Sequence, residues 1–149
     1  MSVVQASVLV EAPPESVWRV VADPRNLPAW DRHIAGVEGV PLNGLREGTE
    51  YSVSLRFMGV RATVGDRVVE LRAPEYARVQ LHGLVDAVVE TWVEPVEEER
   101  ARLRHRVEYR FRGGPLGELV ARAVRLLGAS SLLRRGTLAQ KRQVESWPP

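Results

Sequence analysis

The chain contains no cysteine, which excludes disulfides, thiol nucleophiles and thiolate metal sites and leaves the redox compartment open. No apolar run approaches the ~20 residues that a membrane-spanning helix needs, so no stable membrane insertion is expected. The N-terminal stretch MSVVQASVLVEAPPE has no basic start and alternates as a strand does. No signal peptide is expected, and a cytoplasmic protein is the default. The three histidines, His33, His82 and His105, fall on different segments without paired spacing, which gives a metal site little basis. Gly113-Gly114-Pro115-Leu116-Gly117 lacks the lysine and spacing of a phosphate-binding loop. Net charge is only +2, too small to argue for a nucleic-acid partner.

What remains is an ordinary globular composition in 149 residues, the size of one domain. Ser2 to Glu11 alternates, with Val4, Ala6, Val8 and Val10 on one face. Pro13-Pro14-Glu15 then opens a helix, because proline loses nothing at the first helical position and Glu15 suits the positive helix end. Val17, Trp18, Val20 and Val21 follow before Asp23-Pro24 halts it. Asp23 can cap a second short turn running through Leu27 towards Trp30, and the chain re-enters the sheet near Ile34.

The middle is strand after strand. Tyr51, Val53, Leu55 and Phe57 alternate, and Met58-Gly59 is a tight-turn candidate. Val60 to Arg72 continues with Ala62, Val64 and Val68, and Ala73-Pro74-Glu75 turns again. Tyr76 to His82 and Leu84 to Val93 follow, with a turn expected around Pro95 and Glu97-Glu98-Glu99. From Arg100 to Arg112, Ala101, Leu103, His105, Val107, Tyr109 and Phe111 face one way and a row of arginines the other. A slip of one residue would bury that row, so the register is firmly set. Short turns between strands imply antiparallel hairpins. After Gly113-Gly114-Pro115, apolar residues recur at helical spacing to about Ser146, with Gly128 and Gly136 as points of weakness. The expected fold is α+β: a curved antiparallel sheet of about seven strands wrapped around a long C-terminal helix, two short helices following the first strand. Such a sheet leaves space between itself and the helix, an apolar cavity with a few polar groups.

Val8-Leu9-Val10-Glu11-Ala12-Pro13-Pro14-Glu15-Ser16-Val17-Trp18, then Asp23-Pro24 and Leu27-Pro28-Ala29-Trp30, resemble the opening of the START-like (SRPBCC) superfamily. The nearest branch is that of the polyketide cyclase/dehydrase and lipid-transport proteins. Gly48-Thr49, Arg67-Val68-Val69-Glu70, Pro74 and Gly114-Pro115-Leu116-Gly117 extend the resemblance over nearly the whole chain. It implies a helix-grip fold with a deep pocket for lipids, sterols, polyketides or similar ligands. No catalytic motif carries over with it, and fold alone does not choose among the family's activities. Glu97-Glu98-Glu99 stands where many relatives have a short Asp-Gly turn.

His105 and Tyr109 share the inward row and are the candidate catalytic pair: an imidazole and a phenol that could move a proton or hold a carbonyl oxygen. The plainer alternative is a buried histidine satisfied by a neighbour. Ligand-binding candidates are Trp30, Tyr51, Val53, Leu55, Val64, Leu103, His105, Val107 and Tyr109, with Val120, Val124 and Leu127 from the helix. Trp18 and Trp30 serve equally well as anchors of the short helices. Trp92, Asp86 and Glu90 share one parity of their strand and are expected outside, since burying unpaired carboxylates is costly; in the opposite register Asp86 and Glu90 would point into the cavity as candidate acids. The arginine row can pair with acids across the outer sheet face and has little aromatic interleaving, so no nucleic-acid partner is expected. Arg122, Arg125, Arg134, Arg135, Lys141 and Arg142 make the C-terminal segment basic, which reads as a solvated face or as a docking face for an acidic partner.

Three functions are therefore open. The first is a binder or carrier of a hydrophobic small molecule. The second is a cyclase- or dehydratase-like enzyme using His105 with Tyr109 or Tyr51, and the third a protein- or membrane-interaction module using the basic C-terminal helix. No cofactor and no metal is expected, and a homodimer is an open alternative.

Overall fold

The computed structural model describes residues 2–57 and 59–146. Strand β1 (Ser2–Val10) leads to helix α1 (Pro14–Val21), which begins on proline and carries Glu15 in its first turn. The Asp23 carboxylate then accepts the Arg25 amide at 3.0 Å, capping a single 3₁₀ turn over Pro24–Asn26 that runs into α2 (Leu27–Trp30). The rest of the sheet is β2 (Ile34–Glu38), β3 (Glu50–Phe57), β4 (Val60–Arg72), β5 (Tyr76–Gly83), β6 (Val85–Glu97) and β7 (Arg100–Phe111). All seven strands are antiparallel in the order β1-β7-β6-β5-β4-β3-β2, a meander with the first strand added beside the last. The sheet curls into a half-barrel around C-terminal helix, the α+β helix-grip arrangement.

Register follows the alternation. Leu103 pairs with Val8 on one side and Val93 on the other, and His105 sits between Ala6 and Thr91. The arginine row lies on the outer face among acids. Arg106 meets Glu90 at 3.5 Å, Arg112 meets Asp86 at 3.0 Å, and the Arg104 guanidinium lies 4.2 Å from the Trp92 ring centroid. Asp86, Glu90 and Trp92 are thus outward. A β-bulge between Val68 and Glu70 switches parity in β4, so Leu71 joins Val64 and Val68 on the inner side.

The segment after β7 departs from a continuous helix. It forms α3 (Pro115–Leu127) and α4 (Ala129–Ser146), divided at Gly128, whose φ of +82° only glycine adopts cheaply. Gly136 stays inside α4 without breaking it. Helix α4 is the gripped one. Val144 enters a core with Val10, Val17, Val20, Val93 and Leu103, and the Lys141 ammonium donates to the Leu9 carbonyl at 2.8 Å. Glu145 accepts the Glu11 amide at 2.7 Å, so α4 also covers part of the open edge of β1. Helix α3 packs elsewhere, with Val120, Ala123 and Val124 against Leu55, Leu84 and Phe111. Strand β6 runs through Pro95 to Glu97 with a bulge there, which confines the turn to Glu98 and Glu99. Of the Met58-Gly59 turn, Met58 lies outside the described residues, and Gly59 takes a φ of +80°.

Candidate functional site

Between the inner sheet face, α1, α2 and α4 lies a cavity of about 260 Å³. That is near the lower end of small-molecule sites, which suits a compact ligand. Its walls are mainly aliphatic: Val53 and Leu55 of β3, Val64 and Val68 of β4, Val79 and Leu81 of β5. Trp18, Leu27 and Trp30 close the helical side. The Trp30 indole donates to Gln143 Oε1 at 2.6 Å, and Gln143 in turn donates to Asn26 Oδ1 at 3.3 Å, which ties the short helices to α4.

The few polar groups on the wall form two sets. In the first, His105 is buried with both ring nitrogens engaged, Nε2 at 2.7 Å from Gln140 Oε1 and Nδ1 at 2.9 Å from Thr91 Oγ1. An amide oxygen only accepts, so Nε2 carries the proton and Nδ1 accepts from the Thr91 hydroxyl. Burial pushes the imidazole pKa below its usual value, against the opposing pull of Gln140, and the ring is neutral.

The second set is Asp66 and Tyr51, which stand directly opposite each other on β4 and β3. Asp66 is 5% exposed, and burial raises its carboxyl to about 7 although a hydrogen bond from Tyr51 opposes the rise. Tyr51 is pushed well above the ordinary phenol value, first by burial and then by the Asp66 charge. Asp66 Oδ1 is the one buried side-chain nitrogen or oxygen among the described residues that has no hydrogen-bond partner.

Of the residues expected from sequence to meet a ligand, Trp30, Tyr51, Val53, Leu55, Val64 and His105 line this cavity. Leu103 faces inward but is sealed in the closed core with Val10, Val17 and Val93. Val107 and Tyr109 are half-buried on the same row but off the cavity wall, and the Tyr109 ring packs edge-on against Phe111 at 5.5 Å. Val120, Val124 and Leu127 belong to α3, which the break at Gly128 carries away from the cavity, with Leu55 as the shared neighbour. Asp66, Thr91 and Gln140 are additions. Asp66 was legible, because it shares the parity of Val64 and Val68. Gln140 was not, since helical spacing does not say which strand a helix faces.

Residues 1–143 match the family described as polyketide cyclase/dehydrase and lipid transport. The chain belongs to this family. No protein of curated function matches it by sequence. Among solved structures it is similar to a START superfamily protein from Mycobacterium smegmatis, at 15% identity and a TM-score of 0.69, covering 96% of this chain and 97% of that one. The Zhui aromatase/cyclase from Streptomyces sp. R1128 superposes at 18% identity and a TM-score of 0.68, with 95% of each chain covered. The di-domain ARO/CYC BexL from the BE-7585A biosynthetic pathway is similar at 26% identity and a TM-score of 0.65, over 97% of this chain and 47% of BexL. These likenesses agree on the fold.

No group of histidines, aspartates and glutamates that could hold a metal occurs among the described residues. No described helix is long and apolar enough to cross a membrane.

Proposed function

We propose that this member of the polyketide cyclase/dehydrase and lipid transport family binds and carries a compact hydrophobic small molecule, of lipid or polyketide type. The supporting observation is the cavity itself: about 260 Å³ within an aliphatic wall that no side chain of the described residues fills. Closed cores rarely leave voids larger than a water molecule, because unfilled apolar space forfeits dispersion contacts. The same reading holds the protein to be cytoplasmic.

The test is native mass spectrometry of the purified chain, followed by organic extraction. A stoichiometric apolar compound is expected, and Val79→Phe, which narrows the cavity, should exclude it. A protein that emerges empty and ignores lipid, sterol and polyketide probes would sink this reading.

The similarity to Zhui and BexL favours a second reading, an aldol-type cyclase or dehydratase without cofactor, with His105 as acid/base and Tyr109 or Tyr51 holding a carbonyl oxygen. Against the pair His105 and Tyr109 stand the two filled hydrogen bonds of His105 and the position of Tyr109 off the wall. An enzyme should lose turnover with His105→Ala while keeping its fold. A carrier has no turnover to lose.

A further inference from the structure

The cavity's polar groups differ in one respect. Both nitrogens of His105, the Thr91 hydroxyl, Gln140 Oε1 and the Trp30 indole nitrogen already have partners within the protein. Asp66 lines the cavity opposite Tyr51, and its Oδ1 is buried with no hydrogen-bond partner among the described residues. An unpartnered buried acceptor costs folding free energy that a neighbouring donor would restore. No residue of the described chain supplies that donor, and the cavity is where one could enter.

Resting on the reading of this cavity as a ligand site, we propose that Asp66, opposite Tyr51 on the ladder, is its polar anchor and selects an apolar ligand carrying a hydroxyl group. Tyr51 lies opposite Asp66 across the β3–β4 ladder, and Oδ1 is the carboxyl oxygen whose lone pairs are left for a ligand O–H. Sites that hydrogen-bond a substrate hydroxyl discriminate strongly against analogues that lack it, because the buried protein group is then left unpaired. A hydroxyl fits better than an ammonium, since the surrounding aliphatic wall offers nothing else to replace the hydration of a full charge. Leu81 is opposite Asp66 on β5, and the other titratable side chains on the cavity wall are Tyr51 and His105, the latter neutral. The carboxyl, raised to about 7 by burial, is in the range where it can accept from a hydroxyl as the anion.

The experiment is a fluorescence titration of the full chain with 2-naphthol, 2-methoxynaphthalene, naphthalene and 2-(aminomethyl)naphthalene at about pH 8. The wild type should bind 2-naphthol at least about tenfold more tightly than the ether or the hydrocarbon. In Asp66→Val that preference should vanish while the hydrocarbon still binds. Asp66→Asn, which keeps an acceptor oxygen, should retain part of it. Equal binding of naphthol, ether and hydrocarbon by the wild type overturns the anchor and leaves the ligand site standing. Tightest binding of the amine overturns the hydroxyl assignment. If none of the four binds, the ligand-site reading falls and the anchor with it.

Discussion

His105 Nε2 lies 2.7 Å from Gln140 Oε1, a buried hydrogen bond that joins the middle of β7 to the helix gripped by the sheet. With Thr91 on the other ring nitrogen, the imidazole is part of the bond between layers. Gln140→Ala should therefore leave a buried N–H without a partner and cost about 1–3 kcal/mol, read from the urea midpoint at constant m. Nitrogen NMR should show the proton on Nε2 at neutral pH. A His105 that titrates near its ordinary value would contradict this arrangement.

Asp66 and His105 give opposite pH dependences to stability. The Asp66 carboxyl titrates near 7 when folded, well above its unfolded value, so the native state holds a proton that the unfolded chain has lost. Its contribution thus declines as pH rises from about 4 to about 7 and stays lost above that, by on the order of 3–4 kcal/mol. His105 has a depressed folded pKa, so the unfolded chain takes up a proton first, and stability falls as pH drops below about 6.5. Asp66→Asn should remove the first trend and keep the second. Thermal denaturation at about pH 8 should find the variant more stable than the wild type. A lower midpoint there would count against the raised carboxyl.

The inner face of the sheet serves two purposes, which two substitutions can separate. Leu103 is fully buried in the closed core, so Leu103→Ala should cost about 2–5 kcal/mol and leave probe binding by the folded protein unchanged. Val79 lines the cavity, so Val79→Phe should weaken probe binding strongly for a smaller stability change. Denaturant melts combined with naphthalene titration check both. Loss of binding in Leu103→Ala with retained structure would place the ligand elsewhere.

Gly128 divides the C-terminal helical segment at φ +82°. Gly128→Ala should destabilise by at least about 1 kcal/mol, because a side chain in that conformation is strained. Circular dichroism and a urea melt would show it. A stabilised variant would mean that α3 and α4 can run on as one helix.

Much of the fold was legible in the sequence because strand and helix periods are local properties. Alternation over Arg100–Arg112 set the face of every side chain in β7, and an arginine row cannot be buried. Prolines at helix starts and Asp23 before Pro24 marked the two short helices, since capping acts within a few residues. Even Asp66 stood in plain view on the inward parity of β4. What periodicity left undecided was how deep along the inward row each residue lies. Leu103 in the closed core, His105 on the cavity wall and Tyr109 against Phe111 share one parity, and only packing from α1, α3 and α4 tells them apart. The break at Gly128 likewise removed Val120, Val124 and Leu127 from the cavity, because glycine permits either a kink or a continuous helix and tertiary packing chooses. The pairing of His105 with Gln140 joins residues far apart in the chain, and long-range contact of that kind is decided only when sheet and helix close on one another.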